Sequence, residues 1–184
     1  MRLTPLAPLA LAVLAAAPTA AFAVDYLSAD QAARVMFPDA EGFEARDWTF
    51  DAGQLRQLEA QGVAARSARW SARVAMRGGV ALGVVVIDEV IGKFELITYA
   101  VGVAADGTLR PVEVLSYRES HGHEIRLPAW RRQFAGKTAA APLRVGEDIA
   151  NISGATLSCV HVTDGVRRIA AVVALARRSG ALPP

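Results

Sequence analysis

The stretch around which the chain is organised is Ile152-Ser153-Gly154-Ala155-Thr156-Leu157-Ser158-Cys159. Small residues and hydroxyls stand directly before an amphipathic segment that continues to Arg178, which is typical of a helix start. The same arrangement also favours a bound phosphate, because the N–H groups of a first helical turn are unpaired and lie at the positive end of the helix dipole. The residues alone leave both interpretations open, and the plain helix cap is the commoner one.

Residues 68–115 carry the pattern of β-strands. Three segments rich in Val, Ile and aromatic residues are separated by glycine-containing turns; they are 70–76, 80–90 and 94–103. Asp106-Gly107 is a strong hairpin signal and precedes a fourth segment, 109–117. Connections this short join antiparallel neighbours. The chain is therefore predicted to be an α+β protein, with an antiparallel sheet of about four strands packed with helices.

Helices are predicted on both sides of the strand region. Their expected ranges are 28–36, 51–60, 127–134 and 157–178. Ser28 and Gln31 fit a capping box, whereas Gly165 is expected to divide the last helix into two pieces. The run 84–87 is apolar without alternation, so its strand should be covered on both faces, by the first and last helices.

A polar loop follows the fourth strand, and residues 117–123 read Tyr-Arg-Glu-Ser-His-Gly-His. Loops at strand ends often carry function on a rigid frame. His121 and His123 would need His161 or a carboxylate to complete a metal site, so no metal is predicted. A polar turn with salt bridges is the plainer alternative.

Two segments resemble the motifs of FMN-binding domains, which occur in flavin-carrying components of the sodium-translocating NADH:quinone reductase and of the related Rnf complex. Ser153-Gly154-Ala155-Thr156 resembles the S/T-G-A-T flavinylation motif. Glu119-Ser120-His121-Gly122 resembles the E-T-P-G segment that lies against the flavin, with Ser in place of Thr and His in place of Pro. The family often has an Asp three residues before the Ser; that position is Ala150 here, and the nearest acid is Asp148.

The resemblance implies that a flavin transferase attaches FMN to Thr156 through a phosphoester. It also implies a cofactor-binding set consisting of Ser153, Gly154, Ala155, Leu157, Ser158, Tyr117, Arg118, Glu119, Ser120, His121 and Gly122. Within that set, Tyr117 is expected to stack on the flavin ring, Arg118 to raise its potential, and Gly122 to allow close backbone approach.

The function that this resemblance implies is electron transfer. The chain shows no paired acid and base of the kind that forms a substrate pocket, so no catalytic residue is predicted. The expected partners are a membrane or periplasmic redox protein, haem proteins among them. Two alternatives stay open: a small periplasmic reductase that acts on a soluble acceptor, and a non-redox binding module that has lost the flavin.

The N-terminus has the pattern of a secretory signal peptide. Arg2 is followed by an apolar run over 6–17, and Ala21-Phe22-Ala23 reads as a cleavage site. We therefore expect a signal peptide over 1–23, a lead-in segment over 24–79 and an FMN-binding core over 80–180, in an exported, periplasmic protein. An uncleaved N-terminal anchor is the second interpretation.

Composition excludes several other classes of protein. Twenty Lys and Arg against 18 Asp and Glu leave a net charge of +2, without the basic patch that a nucleic-acid partner requires. A single cysteine allows neither an internal disulfide nor a C-x-x-C-H haem site nor a cysteine-bound iron–sulfur cluster. Redox chemistry in this chain therefore requires an organic cofactor or a partner.

Overall fold

A six-stranded antiparallel sheet forms the centre of the computed structural model, which describes residues 24–119 and 121–184. The strands lie in the order β1-β6-β5-β4-β3-β2. Their bounds are β1 Val24–Asp25, β2 Gly42–Thr49, β3 Arg69–Arg77, β4 Val80–Ile91, β5 Leu96–Ala104 and β6 Glu113–Tyr117. The predicted signal peptide, residues 1–23, and the predicted cofactor contact Ser120 lie outside the described residues.

The α+β class and the antiparallel sheet are confirmed, and the four predicted strands correspond to β3, β4, β5 and β6. The sheet is wider than predicted because β2 and the two-residue β1 extend its edges. β2 has the sequence Gly-Phe-Glu-Ala-Arg-Asp-Trp-Thr and exposes its charged residues, as edge strands do, so apolar alternation does not reveal it. β2 and β3, from the predicted lead-in, belong to the same sheet as β4 to β6.

The helices also follow the predicted ranges closely. They are α1 Ala29–Met36, α2 Ala52–Ala60, α3 Pro128–Arg131 and α4 Thr156–Arg178, with short 3₁₀ segments at His123–Arg126 and Arg132–Phe134. The capping box at Ser28 and Gln31 is confirmed, and a second one, between Asp51 and Gln54, opens α2.

The expected division of the last helix at Gly165 is wrong, since α4 is continuous over its whole length. Gly165 serves packing instead: a Cβ at this position would overlap the Tyr99 hydroxyl and lie 2.8 Å from its Cζ. That hydroxyl donates to Asp88 Oδ2 at 2.9 Å, and Arg168 Nη2 donates to the same oxygen at 2.6 Å. The glycine therefore lets α4 approach β5 over a buried polar group.

β4 is covered on both faces, as its unalternating sequence predicted. Val84 and Val86 face the main core, which α4 closes, whereas Val85 belongs to a smaller cluster under α1. Among the helices of the described residues, none is long and apolar enough to cross a membrane. The first turn of α4, the turn between β4 and β5 and the loop after β6 line one cleft.

Candidate functional site

The cleft has a volume of about 570 Å³. This is within the range of about 300–1,000 Å³ that is usual for cofactor and ligand sites. Of the described residues, nine line it: Lys93, Phe94, Glu119, His121, Gly154, Ala155, Thr156, Leu157 and Ser158. Its lining thus comes from the β4–β5 turn (residues 92–95), the loop after β6 and the first turn of α4.

Among the described residues, no side chain caps the first turn of α4. Ala155 occupies the N-cap position and makes no side-chain cap hydrogen bond. Thr156, the first helical residue, is exposed, and its Oγ1 accepts a hydrogen bond from Asn151 Nδ2 at 3.1 Å. The hydroxyls of this stretch therefore do not cap the helix. The positive end of the α4 dipole lies open at the cleft, which favours the phosphate interpretation over the plain cap.

The two sequence motifs are in direct contact, and Gly122 makes that contact possible. Its φ is +86°, and a Cβ there would lie 2.5 Å from Ala155 Cβ and 2.6 Å from Tyr117 Oη. The Tyr117 hydroxyl donates to the His121 carbonyl and lies 3.4 Å from Ser158 Oγ. The loop after β6 and the start of α4 are therefore packed together without room for a side chain at position 122.

The structure brings most of the predicted cofactor-binding residues together at the cleft. Those that line it are Glu119, His121, Gly154, Ala155, Thr156, Leu157 and Ser158. Ser153 is exposed in the turn before α4, and Gly122 is buried. Among the described residues, no group of three His, Cys, Asp or Glu side chains is placed to hold a metal.

Tyr117 does not occupy the place that its expected stacking role requires, and Arg118 lies outside the lining, where its expected effect on the flavin potential stays a prediction. Tyr117 is only 2% exposed and does not line the cleft, so its ring has no open face on which a flavin could stack. It holds the loop through the His121 carbonyl instead. Arg118 is exposed and also lies outside the lining. Among the described lining residues, the Lys or Arg side chain is that of Lys93, whose Nζ lies 4.8 Å from the centre of the Phe94 ring.

Lys93 and Phe94 are lining residues that the two sequence motifs do not include, because they lie in the β4–β5 turn, far from both motifs in the chain. Phe94 is 73% exposed, the largest exposed fraction among the large apolar side chains of the described residues. An aromatic residue at the tip of a hairpin, where turns usually carry small polar residues, was the available signal.

Glu119 joins the loop after β6 to the β4–β5 turn. Its Oε1 accepts hydrogen bonds from the N–H groups of Phe94 at 2.6 Å and Glu95 at 3.0 Å. Gly92 leaves space for this carboxylate, since a Cβ there would lie 2.6 Å from the same oxygen. Burial raises the pKa of the Glu119 carboxyl, but the N–H groups of 93–95 and the Lys93 charge lower it more, so its pKa lies below the usual value.

The stability that Glu119 contributes is expected to depend on pH. Because its pKa in the folded state is below the ordinary 4.5, the carboxylate stabilises the fold above that pH and loses its contribution as the pH falls through the folded-state pKa. Glu119→Gln should therefore be less stable than the wild type at neutral pH, and the gap should narrow in acid. Chemical denaturation at a series of pH values measures this gap. A gap that stays constant between about pH 7 and pH 3 would contradict the role assigned to the charge.

Asp148 does not replace the acid that is missing at position 150. Its Oδ1 accepts from Arg144 N at 2.8 Å, and its Oδ2 lies 3.1 Å from Lys137 Nζ. The Ala150 backbone is held separately: its N–H donates to Gln133 Oε1 at 2.7 Å, and its carbonyl accepts from Trp130 Nε1 at 2.8 Å. The segment that leads to α4 is thus positioned by contacts that do not involve a carboxylate at position 150.

Comparison with protein families identifies the class of this site. Residues 92–171 match the model of the FMN-binding domain, and they include the β4–β5 turn, the loop after β6 and the first turn of α4. Residues 92–171 are therefore identified as a domain of the FMN-binding family, and this match supports a flavin-binding protein. No curated protein matches the chain.

Proposed function

We propose that FMN is attached covalently to Thr156 and that the protein carries electrons between redox partners in the periplasm. The observation that carries this proposal is the position of Thr156. Its side chain is exposed and lines the cleft, at a helix start whose N-cap residue, Ala155, makes no side-chain cap hydrogen bond. Thr156 is also the last residue of the segment that resembles the flavinylation motif.

The residues of the cleft fit FMN. The N–H groups in the first turn of α4 suit a phosphate, because N-cap Ala155 makes no side-chain cap hydrogen bond, and Thr156 belongs to the same turn. Phe94 and Leu157, which is 46% exposed, provide apolar surface for a flat ring system. Gly154 has a φ of +83° and no neighbouring atom within 4 Å of a Cβ position, so the turn leaves the approach to Thr156 open.

Attachment requires an external transferase and a donor whose FMN phosphate carries a leaving group. The Thr156 Oγ1–phosphorus bond forms, the bond from phosphorus to the leaving group breaks, and the hydroxyl proton passes to a base on the transferase. Bound FMN supplies transfer of one or two electrons. The chain itself holds the phosphate, places the ring and shields part of it from water.

The hydrogen bonds of the Glu119 carboxylate favour a carrier role over an independent enzyme. The Glu119 carboxylate is engaged by backbone N–H groups of the β4–β5 turn, so it is not directed at a substrate as a general base. The signal-peptide pattern over 1–23 supports export. Covalent attachment suits an exported protein, since a dissociable cofactor would be lost by dilution.

The test is the intact mass of the denatured protein after co-expression with a flavin transferase. Wild type should gain the mass of FMN less water, and digestion should place the modification on Thr156. Thr156→Ala should abolish the gain, whereas the matched variant Thr156→Ser keeps a hydroxyl and should retain part of it.

An unmodified wild type, with the transferase shown to be active on another substrate, would contradict the proposal and favour the non-redox binding module. A loaded protein that turns over a soluble acceptor with no partner present would instead favour the small reductase.

A further inference from the structure

Phe94 exposes a large apolar side chain to solvent inside the cleft. Full burial of a phenylalanine side chain stabilises a protein considerably, so a large apolar side chain left open inside a cleft usually marks a surface that a ligand covers. Phe94 lines the cleft with 73% of its surface exposed, and Leu157, from the first turn of α4, lines it with 46% exposed. Two apolar side chains from two different elements thus face the same space.

The backbone that carries Phe94 is held in place before any ligand arrives. Gly92 N donates to Glu95 O at 2.8 Å and closes the turn. Glu119 Oε1 then accepts from the Phe94 N–H at 2.6 Å, so a buried carboxylate from another segment holds the residue that carries the exposed ring. Such preorganisation reduces the conformational entropy that is lost on binding.

We infer that Phe94 packs against the flavin ring and that Glu119 is a positioning residue, which acts on the flavin only through the turn that carries Phe94. This inference rests on the proposed function. It differs from the arrangement that the E-T-P-G resemblance implies, in which the segment containing Glu119 itself lies against the flavin. It also gives a role to the β4–β5 turn, whose residues the motifs leave unassigned.

The test compares four loaded full-length proteins, Phe94→Ala, Glu119→Gln, the double variant and wild type, with Val80→Ala as the control. Val80 is also an exposed apolar residue, at 65%, but it begins β4 and does not line the cleft. Intact mass first gives the loaded fraction. Iodide quenching of flavin fluorescence then measures the solvent access of the flavin ring in the loaded molecules, and fluorescence anisotropy measures its mobility.

Loss of one aromatic contact is expected to shift the equilibrium between a packed and an open flavin ring about two- to tenfold towards the open ring. Phe94→Ala should therefore raise the quenching constant by about the same factor. Glu119→Gln should raise it in the same direction although Phe94 is retained. The double variant should match Phe94→Ala, because two residues that act through one contact are not additive. Val80→Ala should match wild type.

An unchanged quenching constant in Phe94→Ala, with the flavin present by mass, would overturn the inference and leave the proposed function intact. An additive double variant would overturn the positioning role and indicate that Glu119 touches the flavin itself. Absence of flavin from the wild type by mass would overturn both proposals together, so the two failures are distinguishable. A thermal unfolding curve of Glu119→Gln under the same conditions serves as a control, because the variant must still be folded at the temperature of the quenching measurement.

Discussion

Gly122→Ala is expected to slow flavinylation of Thr156 by about 10- to 100-fold, since displacement of reacting groups by about 1 Å typically has an effect of this size. The added methyl group would lie 2.5 Å from Ala155 Cβ, directly before Thr156, and 2.6 Å from the Tyr117 hydroxyl. The loop after β6 and the turn before α4 would therefore have to separate. The initial rate of mass gain in the presence of transferase measures the effect.

A matched control separates this contact from backbone strain. Gly107 has the same φ of +86°, but a Cβ there would meet no atom within 4 Å. Gly107→Ala therefore carries the cost of about 1–2 kcal/mol for a left-handed residue without the collision at the cleft. It should be slightly less stable than wild type and flavinylated at the normal rate. Equal flavinylation rates in the two variants would show that the contact between the motifs does not govern attachment.

Gly165→Ala is expected to lower the free energy of unfolding by about 3 kcal/mol. Overpacking costs about 1–3 kcal/mol and a broken buried hydrogen bond about 1–3 kcal/mol, while the better helix propensity of alanine returns about 1 kcal/mol. The new methyl group would displace the Tyr99 hydroxyl, which donates to Asp88. Burial and the neighbouring Asp88 carboxylate raise the pKa of the Tyr99 phenol well above its usual value, so the hydroxyl stays a donor in neutral solution. Chemical denaturation measures the loss.

The Tyr99→Phe background provides the control for this substitution. Without the hydroxyl there is more space beside residue 165, so Gly165→Ala should cost less in Tyr99→Phe than in wild type. Some cost should remain, since the Cβ would still lie 2.8 Å from Cζ of residue 99. A Gly165→Ala variant as stable as wild type would mean that α4 and β5 can separate without loss, contrary to the packing described.

Much of this fold could be predicted from the sequence, because helix caps, tight turns and buried strands depend on residues that are close together in the chain. The capping box at Ser28 and Gln31, the turn at Asp106-Gly107 and the apolar run 84–87 each specify their element within a few positions. β2 escaped prediction because an edge strand needs only one partner and can expose charged residues. Gly165 was misjudged since its role depends on Tyr99, which is distant in the sequence.

For the candidate site, the sequence suggested the cofactor but not the role of each residue. Two short motifs, Ser153-Gly154-Ala155-Thr156 and Glu119-Ser120-His121-Gly122, were sufficient to suggest FMN, and the family match over 92–171 supports that cofactor. The roles within the site were less predictable. A residue's exposure depends on which elements pack over it, so the sequence could not show that Tyr117 is buried beneath the loop.

The sequence by itself determined the order of the four helices and of strands β3 to β6, together with the residue chemistry of the α4 start, because these depend on residue type and short spacing. Only the tertiary structure decided that Ala155 is the N-cap of α4 and makes no side-chain cap hydrogen bond, that Gly122 packs against Ala155, and that Phe94 lines the cleft. The physical reason is that each of these properties belongs to a contact, or to an open space, between segments far apart in the chain. Such contacts are set by how the whole sheet brings those segments together.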